Sequence, residues 1–291
     1  MGQLMLEAGL TDGVVKIVTG FGDTAGAALA AHDGVDKVAF TGSTEVGNLI
    51  VQASTGNLKK VSLELGGKSP NIIFKDAPDI ESAIQGATDA IFFNHGQVCT
   101  AGSRLYVERD VYDQVLEGIT GNAEKTRLGS GLDPDSEMGP LVSQTQLDRV
   151  TGYLDSGLND GAKLVTGGEV DAKGYFMAPT ILTDTRPDMK VINEEIFGPV
   201  VAIEPFKSAE EIVTVANNTA YGLAAGIWTR DISKAYQTAS RLRAGTVWVN
   251  CYHVYDASMP FGGYKQSGWG REMGKAALEH YTENKSVCVA L

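Results

Sequence analysis

Cysteine is scarce in this 291-residue chain, and the three present, Cys99, Cys251 and Cys288, form no C-x-x-C pair. An odd and widely spaced count excludes a disulfide framework or a cysteine zinc site and fits a reducing compartment. The four histidines (His32, His95, His253, His280) are scattered without ligand spacing, so no metal centre is expected. No apolar run approaches the roughly 20 residues of a membrane span. No block of Lys or Arg interrupts a formal charge of −12, which leaves a nucleic-acid backbone without a docking surface. The opening "MGQLMLEAGL" carries Glu7, lacks a basic segment and has no Ser or Thr at position 6. Neither a signal peptide nor N-myristoylation is expected from it, and cytoplasmic residence is the default.

What is present is an ordinary globular composition, 43% hydrophobic and 21% charged, long enough for one large or two ordinary domains. Short apolar strands alternate with helical patterns almost throughout, and an α/β fold with mainly parallel sheet follows. The strands read as "VVKIV" (14–18), "KVAFT", "KKVSLEL", "NIIF", "SRLYVE", "FMAPTIL", "VVAIEPF", "AAGIWT" and "GTVWVN". Between them lie helical stretches such as "TEVGNLIVQA", "DIESAIQGATDAIFF", 110–124, 144–159 and "DISKAYQTASRL". Two loops interrupt the pattern, 128–143 and the aromatic, glycine-rich 250–270; a loop longer than about 15 residues in a compact domain is usually functional. The end reads as a helix, "REMGKAALEHY", then an alternating strand, "ENKSVCVAL", that needs a partner in this chain or another.

Three motifs could carry chemistry. In "KVAFTGSTEVG" a strand enters a helix through Gly42, and the helix N-terminus with Ser43 and Thr44 offers donors to a phosphate. Its Gly42…Gly47 spacing is not the dinucleotide fingerprint, so a plain strand–helix turn stands as the alternative. In "VSLELGGKSP", Glu64 is either a solvent-facing strand residue or a partly desolvated general base at a strand end. In "FFNHGQVCTAGSRLYV", Cys99 lies among small residues that leave a substrate room to reach the sulfur. Dipoles or cations that stabilise its thiolate would make it a nucleophile, its own N–H could face an oxyanion, and an inert thiol is the alternative. His95 lies four residues before it.

Together "FTGSTEVG", "LELGGKSP", "FFNHGQVCTAGSR", "EEIFGPV", "NNTAYGLAAGIWTRD", "GTVWVN" and "PFGGYKQSGWGREMG" resemble the aldehyde dehydrogenase superfamily, in the family's order. The wording of 250–274 is nearest the aryl-aldehyde, phenylacetaldehyde and betaine-aldehyde-like branch. The resemblance implies Cys99 as nucleophile and Glu64 as base, with no metal. It places Gly42, Ser43, Thr44 and Gly47 at the pyrophosphate of NAD (NADP remaining open), Val46 near the adenine and Gly66 at the nicotinamide. Glu195 would hold the nicotinamide ribose with Phe197 beside it, and Tyr255 and Phe261 would line the aldehyde tunnel. It further implies a partial dinucleotide-binding domain (1–66), a catalytic domain (67–266) and a C-terminal helix and oligomerisation strand (267–291), forming a homodimer or homotetramer.

Family members carry a long portion ahead of the equivalent of Leu4. That portion supplies further strands, an oxyanion-hole asparagine and a lysine for the adenosine ribose. The expectation is therefore a fragment, weakly active or inactive alone, since one oxyanion donor is commonly worth about 10²- to 10³-fold in rate. Two rivals remain: a coenzyme-A-acylating dehydrogenase, which has no need of Glu64, and a non-catalytic protein that kept the fold.

Overall fold

The computed structural model describes residues 1–171 and 174–291. Its first elements are the short helices α1 (Gly2–Glu7) and α2 (Ala27–Ala31). Residues 14–18, expected as a strand, form none: a strand needs a ladder partner, and none lies beside this segment among the described residues. Val14 and Val18 are consequently 70% and 77% exposed.

The next unit is a parallel crossover, β1 (Lys37–Thr41), α3 (Thr44–Ser54) and β2 (Lys60–Glu64), paired in register from Lys37↔Lys60 to Thr41↔Glu64. Ser43 caps α3, its hydroxyl accepting from the Val46 N–H at 3.3 Å. Ile50, Leu63 and Leu65 form a small core with Ala30.

The rest of the described chain builds one seven-stranded sheet and a separate two-stranded ladder. In chain order come β3 (Pro70–Ile73), α4 (Ile80–Phe92), β4 (Arg104–Glu108), α5 (Tyr112–Lys125), α6 (Gln144–Asn159), β5 (Lys163–Thr166), β6 (Val170–Asp171) and β7 (Phe176–Met177). After them come β8 (Thr180–Thr183), α7 (Lys190–Asn193), β9 (Val200–Phe206), α8 (Ala209–Asn217), β10 (Ala224–Trp228), α9 (Ile232–Arg241), β11 (Thr246–Val249) and α10 (Gly274–Glu279). The strand order is β11-β10-β3-β4-β9-β8-β5, parallel except for β5 against β8. Both faces are covered, as a parallel sheet requires. Ile73, Leu105 and Val107 pack with side chains of α4 and α5, whereas Ile72, Tyr106 and Ile227 pack with those of α8 and α9. No helix among the described residues is long and apolar enough to cross a membrane.

Three expectations are corrected. "FMAPTIL" is two strands, because Pro179 has no N–H for a ladder, and the break lets β7 pair with β6 while β8 joins the large sheet. The last helix spans only Gly274–Glu279, since Glu272 is bridged to Phe261 and the Arg271 N–H donates to His280 Nε2 at 3.0 Å. Residues 283–291 form no strand and are exposed; no strand of the described chain runs beside them.

The long loop after β11 has a definite mechanical role. Leu63 and Leu65 donate their N–H groups to the carbonyls of Trp269 (2.8 Å) and Ser267 (3.0 Å), so this segment clasps the edge of β2 that β1 leaves open. Gly268 sits in the clasp at φ 109°, and a Cβ there would overlap the Leu63 carbonyl oxygen. Gly268→Ala is expected to lower stability by about 1–3 kcal/mol. A fall in the urea midpoint at unchanged slope would show it, and an unchanged midpoint would refute the clasp.

Candidate functional site

Glu64 ends β2 and is buried, at 9% exposure, which removes the solvent-facing alternative. Its Oε2 has no hydrogen-bond partner among the described residues. Burial, reinforced by the nearby Glu272 and opposed by Arg271, pushes its carboxyl up to about 8. A carboxyl group of this kind exchanges protons close to neutrality, as a general base must.

Cys99 follows α4 through a tight turn in which Asn94 and His95 take left-handed conformations, φ 47° and 61°. The thiol is half-buried, and of the dipoles or cations that could stabilise its thiolate two backbone N–H groups are present. Burial, with Glu195 and Glu64 as like charges, pushes it up to about 11; the N–H groups of Cys99 and Thr100 pull the other way. The resting sulfur is therefore a thiol at neutral pH. His95 is not its partner: its Nδ1 lies 3.4 Å from the Gln97 amide.

Around the sulfur the aromatic loop is tied to the Cys99 segment. Tyr252 donates to the Thr100 carbonyl at 2.9 Å, and the Thr100 hydroxyl shares a hydrogen bond with the Tyr255 hydroxyl at 2.9 Å. The Tyr255 ring is 5.6 Å from Phe261, whose backbone exchanges hydrogen bonds with Glu272. A cavity of about 780 Å³ opens on this side, lined in part by Phe93, Val98, Met138, Tyr252, His253 and Tyr255. Cys251 lines a separate apolar cavity with Trp248 and Met259, and Cys288 is exposed.

Glu195 reaches the same region from the loop between α7 and β9. Its Oε1 accepts the Gly67 N–H at 2.9 Å, and its carboxylate fills the space where a Cβ of Gly66 would lie. A Cβ on Gly67 would overlap the Cys99 carbonyl oxygen. Two adjacent glycines thus let three segments meet backbone to backbone. Arg149 donates to the Glu195 carbonyl at 2.8 Å, and Gln146 to that of Phe197 at 2.8 Å, which fixes the loop on α6. Phe197 is half-buried at φ 62°. Burial raises the Glu195 carboxyl, against the pull of the Gly67 N–H, Lys68 and Arg149.

The start of α3 forms the far wall. Gly42 donates to the Glu64 carbonyl at 3.0 Å, Thr44 donates to the Gln266 carbonyl at 3.2 Å, and Val46 is exposed. Gly47 packs on Leu65, next to Gly66. The structure therefore brings Glu64, Gly66, Cys99 and Glu195 together through direct neighbours, and Gly42 through Gly47 border them. Sequence reading missed Lys68, Ser267, Arg271 and Glu272. Lys68 in "GGKSP" and Arg271-Glu272 in "WGREMG" are charges set among small residues, the one signal that pointed to them.

The sequence model of the aldehyde dehydrogenase family matches residues 1–287. A mitochondrial aldehyde dehydrogenase of Rattus norvegicus is 54% identical over 289 residues, 99% of this chain and 56% of the relative. The solved NAD+ complex of an aldehyde dehydrogenase from Bacillus cereus superposes with a TM-score of 0.96 at 52% identity, over 98% of this chain and 58% of that one. A betaine aldehyde dehydrogenase from Staphylococcus aureus, solved with NAD+, gives 0.93 at 41%, over 96% of this chain and 56% of that one. This chain belongs to the aldehyde dehydrogenase family. It spans under three fifths of the length of these relatives.

If Glu195 raises the thiol as its position implies, Glu195→Gln lowers it and enlarges the thiolate fraction. Iodoacetamide labelling of the Cys99 peptide at pH 9, followed by mass spectrometry, should accelerate about two- to tenfold. An unchanged rate would separate the two groups.

Proposed function

We propose that this chain carries the chemistry of an NAD-dependent aldehyde dehydrogenase, oxidising an aldehyde to its carboxylic acid. The observation that carries the reading is the convergence of Cys99, Glu64 and Glu195 on the Gly66–Gly67 turn. Cys99 Sγ adds to the carbonyl carbon, its proton leaving and the carbonyl oxygen becoming the hydroxyl of a thiohemiacetal. Loss of a hydride, for which NAD would supply the acceptor, and of the hydroxyl proton to solvent leaves a thioester on Cys99. Glu64 then takes a proton from water, which attacks the thioester, releasing the carboxylic acid and returning the thiol. The buried carboxyl of Glu64 favours this hydrolytic reading over transfer to coenzyme A.

The residues fit the cofactor. At the start of α3 the Val46 N–H donates to Ser43 Oγ and that of Gly47 to the Ser43 carbonyl, leaving the N–H groups of Thr44 and Glu45 for an incoming phosphate. Gly42, Ser43, Thr44 and Gly47 would hold the pyrophosphate, with Val46 against the adenine. Gly66 would admit the nicotinamide, while Glu195 accepts from its ribose with Phe197 alongside. The NAD+ complexes of the two structural relatives favour NAD over NADP. Tyr255, Phe261 and Phe93 suit an aromatic or medium aliphatic aldehyde. We assign the assembly to a homodimer or homotetramer, with the exposed residues 283–291 at the contact, and the location to the cytoplasm.

Acting alone, the 291-residue polypeptide is impaired in this reading. β1 pairs only with β2 among the described residues, and Phe21 and Leu29 are 80% and 61% exposed. Full NAD-dependent turnover by purified chain of verified mass would overturn that part.

The pH dependence tests the rest, in this chain or in a longer form that contains it. Glu64 is ionised above about 8, so the rate of deacylation, followed in a single turnover, rises with pH through that value. Glu64→Gln should remove this limb and lower deacylation about 10²- to 10⁴-fold, while Cys99→Ala abolishes turnover. Retention of the limb in Glu64→Gln would sink the assignment.

A further inference from the structure

Lys68 is, with Arg104, the most confined cation among the described residues. It is 1% exposed, its Nζ has no hydrogen-bond partner among the described residues, and its neighbours Gly66 and Gly67 touch the Glu195 carboxylate. Nothing in the mechanism above uses it. A buried ammonium is costly unless an opposite charge or a donor–acceptor partner compensates it.

The charges around it are few and can be named. From β4, Arg104, also 1% exposed, donates its Nε to the Lys68 carbonyl at 2.9 Å and Nη2 to the Ala216 carbonyl at 2.9 Å. Arg104 therefore spends its donors on two carbonyls and, through Nη1, on the Tyr106 hydroxyl at 3.3 Å, and acts on Lys68 as a like charge. From the 194–197 loop come Glu195 and Glu194, the two anions that favour the Lys68 ammonium. Glu195 in turn faces Lys68, Arg149 from α6, the Cys99 thiol and the Tyr221 phenol. Glu194 already accepts the Tyr153 hydroxyl at 2.8 Å and is exposed, so Glu195 is the anion left to compensate Lys68.

We propose that Lys68 is a positioning residue, its buried ammonium holding the Glu195 carboxylate as an anion against the Gly66–Gly67 turn. The dependence runs both ways. Burial drives the ammonium down to about 7 and the Glu195 carboxyl up, so each charge is sustained by the other. Because Arg149 is tied to the Glu195 backbone and the Gly67 N–H is a neutral donor, Lys68 is the buried cation available to this carboxylate. The inference deepens the proposed function, since an anionic Glu195 is the form that would accept from a ribose hydroxyl.

The test uses Lys68→Met and Lys68→Arg in the full chain, with two readouts. The first needs no cofactor: the carboxyl ¹³C shift of Glu195, assigned by its loss in Glu195→Gln, is followed from pH 4 to 9. Lys68→Met should move its titration midpoint upward by about one pH unit or more, and Lys68→Arg should restore it toward the parent. The second is NAD affinity by tryptophan fluorescence over the same range. Lys68→Met should bind about tenfold more weakly near pH 6 and recover at higher pH, where Glu195 ionises unaided. A midpoint that stays put in Lys68→Met, with native thermal unfolding retained, overturns the proposal. A midpoint that moves while NAD affinity is indifferent to Lys68→Met and Glu195→Gln alike upholds the Lys68–Glu195 pairing and refutes the ribose role of Glu195. Should Lys68→Met fail to fold, Lys68→Arg decides: a parental midpoint supports charge as the cause, and a raised one overturns it.

Discussion

The hydrogen bond from the Gly67 N–H to the Glu195 carboxylate is the contact on which the candidate site depends. It can form only because Gly66 and Gly67 carry no side chains: one vacated position holds the carboxylate, the other the Cys99 carbonyl. Three stretches separated by more than thirty or ninety positions in the chain are therefore in register to within an atom's width. Interiors packed at crystal density transmit a displacement rather than absorb it. A shift at this turn would be felt by the thiol, the base and the Glu195 loop together.

That close approach has an electrostatic consequence. Glu64, Glu195 and Cys99 share a region of low dielectric, and burial raises all three. Tyr252 and Tyr255 beside them are raised as well. The region is thus biased toward neutral, protonated groups at rest, and the few opposing charges gain weight. Arg271 favours the anion of Glu64, while Lys68 and Arg149 favour that of Glu195. For Cys99 the opposing influence is two backbone N–H groups, which are weaker than a cation. A thiol in this setting is quiet until a base removes its proton, which suits the proposed role of Cys99.

Much of this was legible in the sequence because it is local. Period-two and period-three-to-four patterns marked nearly every strand and helix of the large sheet. Strand ends followed by glycines located Glu64 and its neighbours. Two of the misreadings share one cause. "VVKIV" and "ENKSVCVAL" have strand composition, yet a strand exists only with a ladder partner, and composition carries no record of who the partner is. The sign of the Cys99 environment was also illegible, since it is set by Glu195 and Glu64, which lie 96 and 35 positions away by the numbering. Lys68 escaped notice for the opposite reason: its neighbours are ordinary, and only burial makes it unusual.

The returning segment 261–272 decides how robust the site is. Ser267 accepts the Gly222 N–H at 3.0 Å and donates to the Gly66 carbonyl at 2.7 Å, so a single hydroxyl joins the large sheet to the β2–β3 turn. Its carbonyl and that of Trp269 hold Leu65 and Leu63 on either side of Glu64. The base is thus pinned from its C-terminal side, to a sheet covered on both faces. The crossover of β1 and α3, by contrast, touches the site through Gly42 and Thr44 and backs onto a largely exposed segment. Disorder arising there reaches the proposed phosphate contacts first, Glu64 next through its pairing with Thr41 and Gly42, and Cys99 last. The expected order of loss is therefore the proposed phosphate contacts and the setting of Glu64 before the geometry of Cys99, because the first two rest on the small core of Leu63 and Leu65 and the last on the large core around Phe92 and Ala101.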